Sequence, residues 1–122
     1  MADRKRIMIA EDDPDLIDLV CDFLRSEGYD VFSVTNGKDA VGKALSEKFD
    51  LILLDVMMPY VDGYHVAYEI NNSDNPPRII IMTSRDVQLE KGIGELSGAC
   101  DMIQKPFELK ELSDKVKKAL SV

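Results

Sequence analysis

Two stretches of this 122-residue chain, "LILL" at 51–54 and "IIIM" at 79–82, are apolar without interruption. A strand with one face in water alternates apolar and polar residues, so a run that is greasy at every position needs cover on both faces. Helices on both sides of a sheet meet that need, and they come with crossover connections between parallel strands. The rest of the chain has the matching rhythm. Strand-like runs stand at "RIMIA" (6–10), "DVFSV" (30–34), "LILLD" (51–55), "RIIIM" (78–82) and "CDMIQ" (100–104), with amphipathic stretches between them. Asp13 can cap a helix that has Pro14 in its first turn, and Gly28 can end it. Leu16, Ile17, Val20, Phe23 and Leu24 give that helix one apolar stripe. Ala40, Val41, Ala44 and Leu45 mark a second helix. Tyr64, Ala67, Tyr68 and Ile70 mark a third, and Leu109, Leu112, Val116, Ala119 and Leu120 a last one. The fourth, "DVQLEKGIGELSG" (86–98), contains Gly92 and Gly94, each costing about 1 kcal/mol relative to alanine. It is either a marginal helix held by its packing or an element that shifts at low energetic cost. Five strands alternating with five helices predict one α/β domain over residues 1–122, a three-layer sandwich with right-handed crossovers.

Fifteen basic residues stand against 23 acidic ones, a net charge of −8. That balance argues against direct nucleic-acid binding, which needs a positive surface, and against anionic membranes. It suits a protein that binds cations or docks on basic partners. No apolar stretch approaches the ~20 residues that span a bilayer. The opening "MADRKRIMIAEDD" has no long apolar segment and no cleavage site, so a cytoplasmic protein is expected. Cys21 and Cys100 stand in no metal-binding spacing and read as reduced, mostly buried thiols.

Ligands on parallel sheets bind outside the carboxyl ends of the strands. Glu11, Asp12 and Asp13 follow the first strand, Asp55 ends the third, Thr83 and Ser84 end the fourth, and Lys105 with Pro106 ends the fifth. Thr35, Asn36 and Gly37 after the second strand look like an ordinary turn. Glu11, Asp12 and Asp55 are therefore expected within a few ångströms of one another, where they cannot all ionise without help. An oxygen-only set without Cys or His favours a hard cation such as Mg²⁺. Mg²⁺ takes few protein carboxylates, which leaves room in its shell for a phosphoryl group. A rigidly held Asp55 beside it can act as a nucleophile toward phosphorus, and Lys105 can neutralise charge on the phosphoryl oxygens. For Asp55 alone, a strand-terminal cap would be the simpler explanation; a cap does not account for the other groups converging at the same edge.

Taken together, "RIMIAEDDPDL", "DLILLDVMMPYVDG", "IIIMTS" and "QKPF" resemble the receiver domain of two-component response regulators, over nearly the whole chain. The resemblance implies a flavodoxin-like fold with strand order 2-1-3-4-5. It implies that Asp55 accepts phosphorus from the phosphohistidine of a histidine kinase or phosphotransfer protein, and that a downstream protein or output domain reads the result. It implies metal ligation by Asp12, by Asp55, by the backbone carbonyl of Met57, and by Glu11 chiefly through water. Thr83 would swing toward the phosphoryl group, Lys105 would pair with it, and the bond before Pro106 would be cis. Four positions depart from or modulate the pattern. Glu11 replaces a more frequent Asp. Met102 stands where the family often has the aromatic partner of the threonine switch. Met57 and Arg85 occupy positions that tune dephosphorylation in this family. Both a stand-alone receiver and the receiver part of a longer regulator or hybrid kinase remain open.

Other residues read more plainly. His65, the one histidine, sits past the "DG" turn and reads as a partly exposed helix residue. Tyr64 and Tyr68, four apart, are expected to pack on one helix face. Pro59 and Asp62–Gly63 read as the loop that turns the chain after Asp55, and "ELKELSDKVKK" as a solvated helix face. Two other functions fit the sequence less well. A phosphohydrolase resembling the haloacid dehalogenases would need a second Asp where Met57 stands. A flavin module would need a phosphate-holding loop where "EDDPD" would repel it.

Overall fold

The computed structural model describes residues 4–58 and 61–121; Pro59 lies outside that range. Five strands, β1 (Arg6–Ala10), β2 (Asp30–Val34), β3 (Leu51–Asp55), β4 (Arg78–Thr83) and β5 (Asp101–Gln104), alternate with five helices. The helices are α1 (Pro14–Ser26), α2 (Gly37–Ser46), α3 (Gly63–Asn71), α4 (Val87–Leu96) and α5 (Leu109–Leu120). The strands are all parallel, in the order β2-β1-β3-β4-β5. This is the three-layer, flavodoxin-like order expected.

The continuous apolar runs are covered twice, as their composition requires. Ile7, Ile9, Leu51, Leu53 and Ile80 face α1 and α5, meeting Val20, Leu24, Leu112 and Val116. Met8, Ile52, Leu54, Ile79 and Ile81 face α2 and α3, meeting Ala40, Val66, Ala67 and Ile70. Every residue of β3 is buried.

At the carboxyl edge, four helices begin with the same device. The side chains of Asp13, Asn36, Asp62 and Asp86 each accept a first-turn backbone N–H at 2.8–3.0 Å, so each loop after a strand ends on a cap. Gly28 follows α1 at φ +98°, the left-handed stop predicted for it. The strand limits differ slightly from expectation. Thr83 extends β4 by one residue because it pairs with Gln104. β5 starts at Asp101, although the Cys100 N–H still donates to the Ile79 carbonyl.

Two side-chain expectations are corrected. Cys21 is buried, but Cys100 is exposed, because it precedes an edge strand. Tyr64 and Tyr68 do not pack together. Tyr64 is buried and reaches Glu90 of α4, while Tyr68 points outward and stacks on exposed His65. Among the described residues no helix is long and apolar enough to cross a membrane.

Gly63 starts α3 against Val56, the residue after Asp55. A Cβ there would stand 2.3 Å from the Val56 Cα. Gly92, by contrast, has open space around its missing Cβ. Gly63→Ala should therefore cost about 1–3 kcal/mol by overpacking. Gly92→Ala should add about 0.5–1 kcal/mol through helix propensity. Urea unfolding of the two variants checks this; equal effects would contradict the packing described.

Candidate functional site

Strand register builds the site. Ala10 pairs with Leu54, so Glu11 and Asp55 emerge side by side. Asp55 pairs with Met82 and Thr83 with Gln104, which places Thr83 and Lys105 one step further along the same edge. The Lys105 N–H donates to the Thr83 carbonyl at 2.7 Å, and the Lys105–Pro106 bond is cis.

Glu11, Asp55 and Thr83 are all 2% exposed or less, while Asp12 is exposed. Glu11, Asp12 and Asp55 each offer a carboxylate oxygen within 4.8 Å of the others. The Lys105 ammonium lies 2.5 Å from Glu11 Oε1 and 3.2 Å from Asp55 Oδ2. Backbone amides take up the remaining oxygens. Glu11 Oε2 accepts from the N–H groups of Asp12 and Asp13, and Asp55 Oδ1 from that of Met57 at 2.8 Å. The Thr83 hydroxyl oxygen accepts the Arg85 N–H at 3.0 Å.

These contacts set the ionisation. Burial pushes the Glu11 carboxyl above the ordinary carboxylate value; the Lys105 and Asp13 hydrogen bonds only partly oppose it, and the Asp55 charge adds to the rise. Burial pulls Lys105 down, but the Glu11 hydrogen bond and the Asp55 and Glu11 charges outweigh it, so its ammonium is held above the usual lysine range. With all groups ionised, three carboxylates and one ammonium leave two negative charges. An oxygen-only set with that residual charge fits a hard divalent cation, and Mg²⁺ is the one that keeps water and phosphate oxygens in its shell.

The strand-end residues singled out from the sequence are thus brought together: Glu11, Asp12, Asp55, Thr83 and Lys105 share one edge, with the backbone of Met57 beside Asp55. Met102 stands apart from the carboxylates. It is packed under α4, where a Cβ at Gly94 would come within 2.6 Å of its Sδ. Sequence reasoning missed two features. One is this Gly94–Met102 contact, for which the glycine inside a helix was the available signal. The other is a bond from Tyr64 to Glu90, which no local pattern announces because the partners are 26 residues apart.

The family described as response regulator receiver domain matches residues 7–117. The alkaline phosphatase synthesis transcriptional regulatory protein PhoP of Bacillus subtilis is 35% identical over 116 residues, covering 95% of this chain and 48% of that protein. The chain thus spans about half the length of that relative. Among solved structures, the receiver domain of a sensor histidine kinase from Pseudomonas aeruginosa superposes with a TM-score of 0.88 at 30% identity, covering 98% of this chain and 100% of that one. It carries a magnesium ion in its active-site cleft. The response regulator TrrA from Thermotoga maritima, in complex with Mg²⁺ and beryllofluoride, gives a TM-score of 0.86 at 34% identity, covering 95% and 99%. The chain belongs to the response regulator receiver domains, the regulatory phosphoacceptor modules of two-component signalling. Magnesium is the cofactor its acidic cluster fits.

Lys105→Ala tests the charge balance. Without the ammonium, Glu11 keeps the burial and the Asp55 charge that raise its pKa and loses the groups on Lys105 that lower it. The folded state then holds a proton that the unfolded state releases, so stability falls as pH rises above 4.5, the ordinary glutamate value. Without magnesium, the variant should lose roughly 2 kcal/mol at pH 7 and much less at pH 4.5. Denaturant unfolding at the two pH values reads this; a loss independent of pH would show that Lys105 does not balance Glu11.

Proposed function

We propose that this domain is a phosphoacceptor switch in which Asp55 takes a phosphoryl group from the phosphohistidine of a histidine kinase or phosphotransfer protein. The observation that carries the reading is the meeting of Glu11, Asp12, Asp55, Thr83 and Lys105 at one sheet edge. An isolated capping aspartate would need none of these neighbours. An Asp55 carboxylate oxygen attacks phosphorus, the phosphorus–nitrogen bond of the donor breaks, and its electron pair returns to the imidazole. Asp12 and Asp55, the Met57 carbonyl, and Glu11 largely through water would hold Mg²⁺. When bound, the ion supplies positive charge for the phosphoryl oxygens.

The protein's own groups do the rest. The Met57 amide holds one Asp55 oxygen and so fixes the carboxylate's orientation. Lys105, already 3.2 Å from the other oxygen, can exchange Glu11 for a phosphoryl oxygen. Thr83 turns its hydroxyl from the Arg85 amide toward the new anion. The β4–α4 loop, α4 and β5 then shift, and a downstream protein or output domain reads the altered surface. Two features of α4 support this. Leu89 and Leu96 are 83% and 82% exposed, so its apolar residues contribute little to holding it in place. Met102 fills the space beneath it where family members often carry a ring. An unbranched thioether adapts to a displaced helix without a defined pair of rotamers. The domain does not turn over an external substrate; it labels itself and loses the phosphoryl group slowly. Its acidic surface fits a cytoplasmic protein that meets protein partners rather than nucleic acid or membrane.

A small phosphodonor such as acetyl phosphate should label the chain in the presence of Mg²⁺, with loss of the label on chelation. Asp55→Ala should abolish it, read by intact mass and acid-urea electrophoresis. Label persisting in that variant removes the assignment. Turnover of a phosphate ester in excess would favour a phosphohydrolase instead.

A further inference from the structure

One carboxylate fastens the first turn of α4 to its neighbours. Glu90 Oε1 accepts the Tyr64 hydroxyl at 3.0 Å and the Arg85 guanidinium at 3.3 Å. Tyr64 is the second residue of α3 and is 7% exposed; its backbone N–H is bonded to the capping carboxylate of Asp62. The helix it belongs to starts against Val56, beside Asp55. Arg85 stands two residues beyond Thr83, and its own N–H is the donor to the Thr83 hydroxyl. A continuous chain of hydrogen bonds therefore runs from Thr83 through Arg85 and Glu90 to Tyr64. Burial, reinforced by the hydrogen bond to Glu90 and its charge, pushes the Tyr64 hydroxyl up to about 12, so it remains a donor throughout the neutral range.

The arrangement holds the switch in one position. The Thr83 hydroxyl oxygen accepts from the Arg85 amide, so moving that hydroxyl toward a group on Asp55 stretches this bond. The loop bearing Arg85 is tethered by its guanidinium to Glu90, and Glu90 is tethered to a tyrosine buried in a different helix. We propose that Tyr64, Glu90 and Arg85 form a latch that stabilises the resting arrangement of the β4–α4 loop and α4. Tyr64, which is hydrogen-bonded to Asp62 and Glu90 and to neither Asp55 nor Lys105, then sets how readily the switch closes. The proposal rests on the reading of Asp55 as phosphoacceptor. A ligand shifts a two-state equilibrium only by its differential affinity, and whatever stabilises the resting state is subtracted from it.

Beryllofluoride, which adds to a carboxylate as a phosphoryl mimic, separates the possibilities. Its affinity for the whole chain in saturating Mg²⁺ is measured by titration calorimetry for wild type, Tyr64→Phe, Glu90→Gln and the double variant. Tyr64→Phe removes one hydroxyl and keeps the ring; it should bind the mimic about 5–10-fold more tightly, the size of one ordinary hydrogen bond. Glu90→Gln should change affinity in the same direction, and the double variant should be no tighter than the tighter single one. A residue that merely supports the fold would leave affinity unchanged or weaken it, and either result overturns the latch. Should Tyr64→Phe unfold, Arg85→Ala cuts the same chain at the loop and must also tighten binding. No beryllofluoride uptake by the wild type would remove the phosphoacceptor reading and the latch together. Normal wild-type uptake with unchanged variants would remove the latch alone.

Discussion

Glu11 and Asp55 are carried to adjacent positions by the β1–β3 register and withdrawn from water, with the Lys105 ammonium set against both. Two carboxylates within 4.8 Å repel by about 3–4 kcal/mol at an effective dielectric near 20. Such a pair persists only because other groups hold it. Lys105 reaches both from the end of β5, two strands away from Asp55. Three backbone amides occupy the oxygens it leaves. The compensation is incomplete: with exposed Asp12 counted, two negative charges remain when all groups are ionised. That deficit is what a divalent cation corrects; in the proposed reaction an incoming phosphoryl group would draw Lys105 and the Thr83 hydroxyl toward itself.

The rigidity of this arrangement comes from elsewhere. Each strand end is fixed by ladder bonds to its neighbours, and each is backed by apolar residues that two helical layers cover. A packed interior of this density transmits displacement poorly as bending and well as a change between discrete arrangements. The carboxylates can therefore be held within hydrogen-bonding distance of Lys105 while the loops just beyond them stay adjustable. Capping places the boundary between the two regimes. Asp13, Asp62 and Asp86 each secure a first turn within a few residues of the site.

How much of this the sequence discloses follows from how local each determinant is. The uninterrupted runs at 51–54 and 79–82 dictate burial on both faces, and the helix between each pair of strands follows from its own apolar stripe and cap. Fold class, element order and the gathering of strand-end residues were accordingly legible. The tyrosines were misread because spacing alone puts Tyr64 and Tyr68 on one helix face. Tyr64 is packed into the core on the α2–α3 face and its hydroxyl meets a carboxylate 26 residues away, a partner that nothing within its own helix encodes. Cys100 was misread as buried for a similar reason. Its exposure depends on β5 lying at the sheet edge, a property of strand order rather than of the residues around it.

α4 shows why the weakest element of the sequence is informative. Its two glycines looked equivalent, and the packing separates them. Gly92 faces open space, so it only lowers helix stability. Gly94 lets the helix settle directly on Met102, with no room for a Cβ between them. Leu89 and Leu96 are almost fully exposed and add little packing that would anchor the helix; Ile93 is about half covered. α4 is held by a close contact with a flexible thioether on one side, by the shared carboxylate of Glu90 on the other, and by the Val87 N–H, which donates to the Gln104 side chain of β5. Polar contacts of this kind are directional and few, so one of them can be exchanged without disturbing the core, whereas moving a helix seated on large branched side chains would disrupt the packing of its whole layer. The low helix propensity of α4 and its polar fastening are therefore one design. The sheet keeps the acidic cluster in place, and α4, the element that moves in the proposed switch, is joined to its neighbours by few polar bonds.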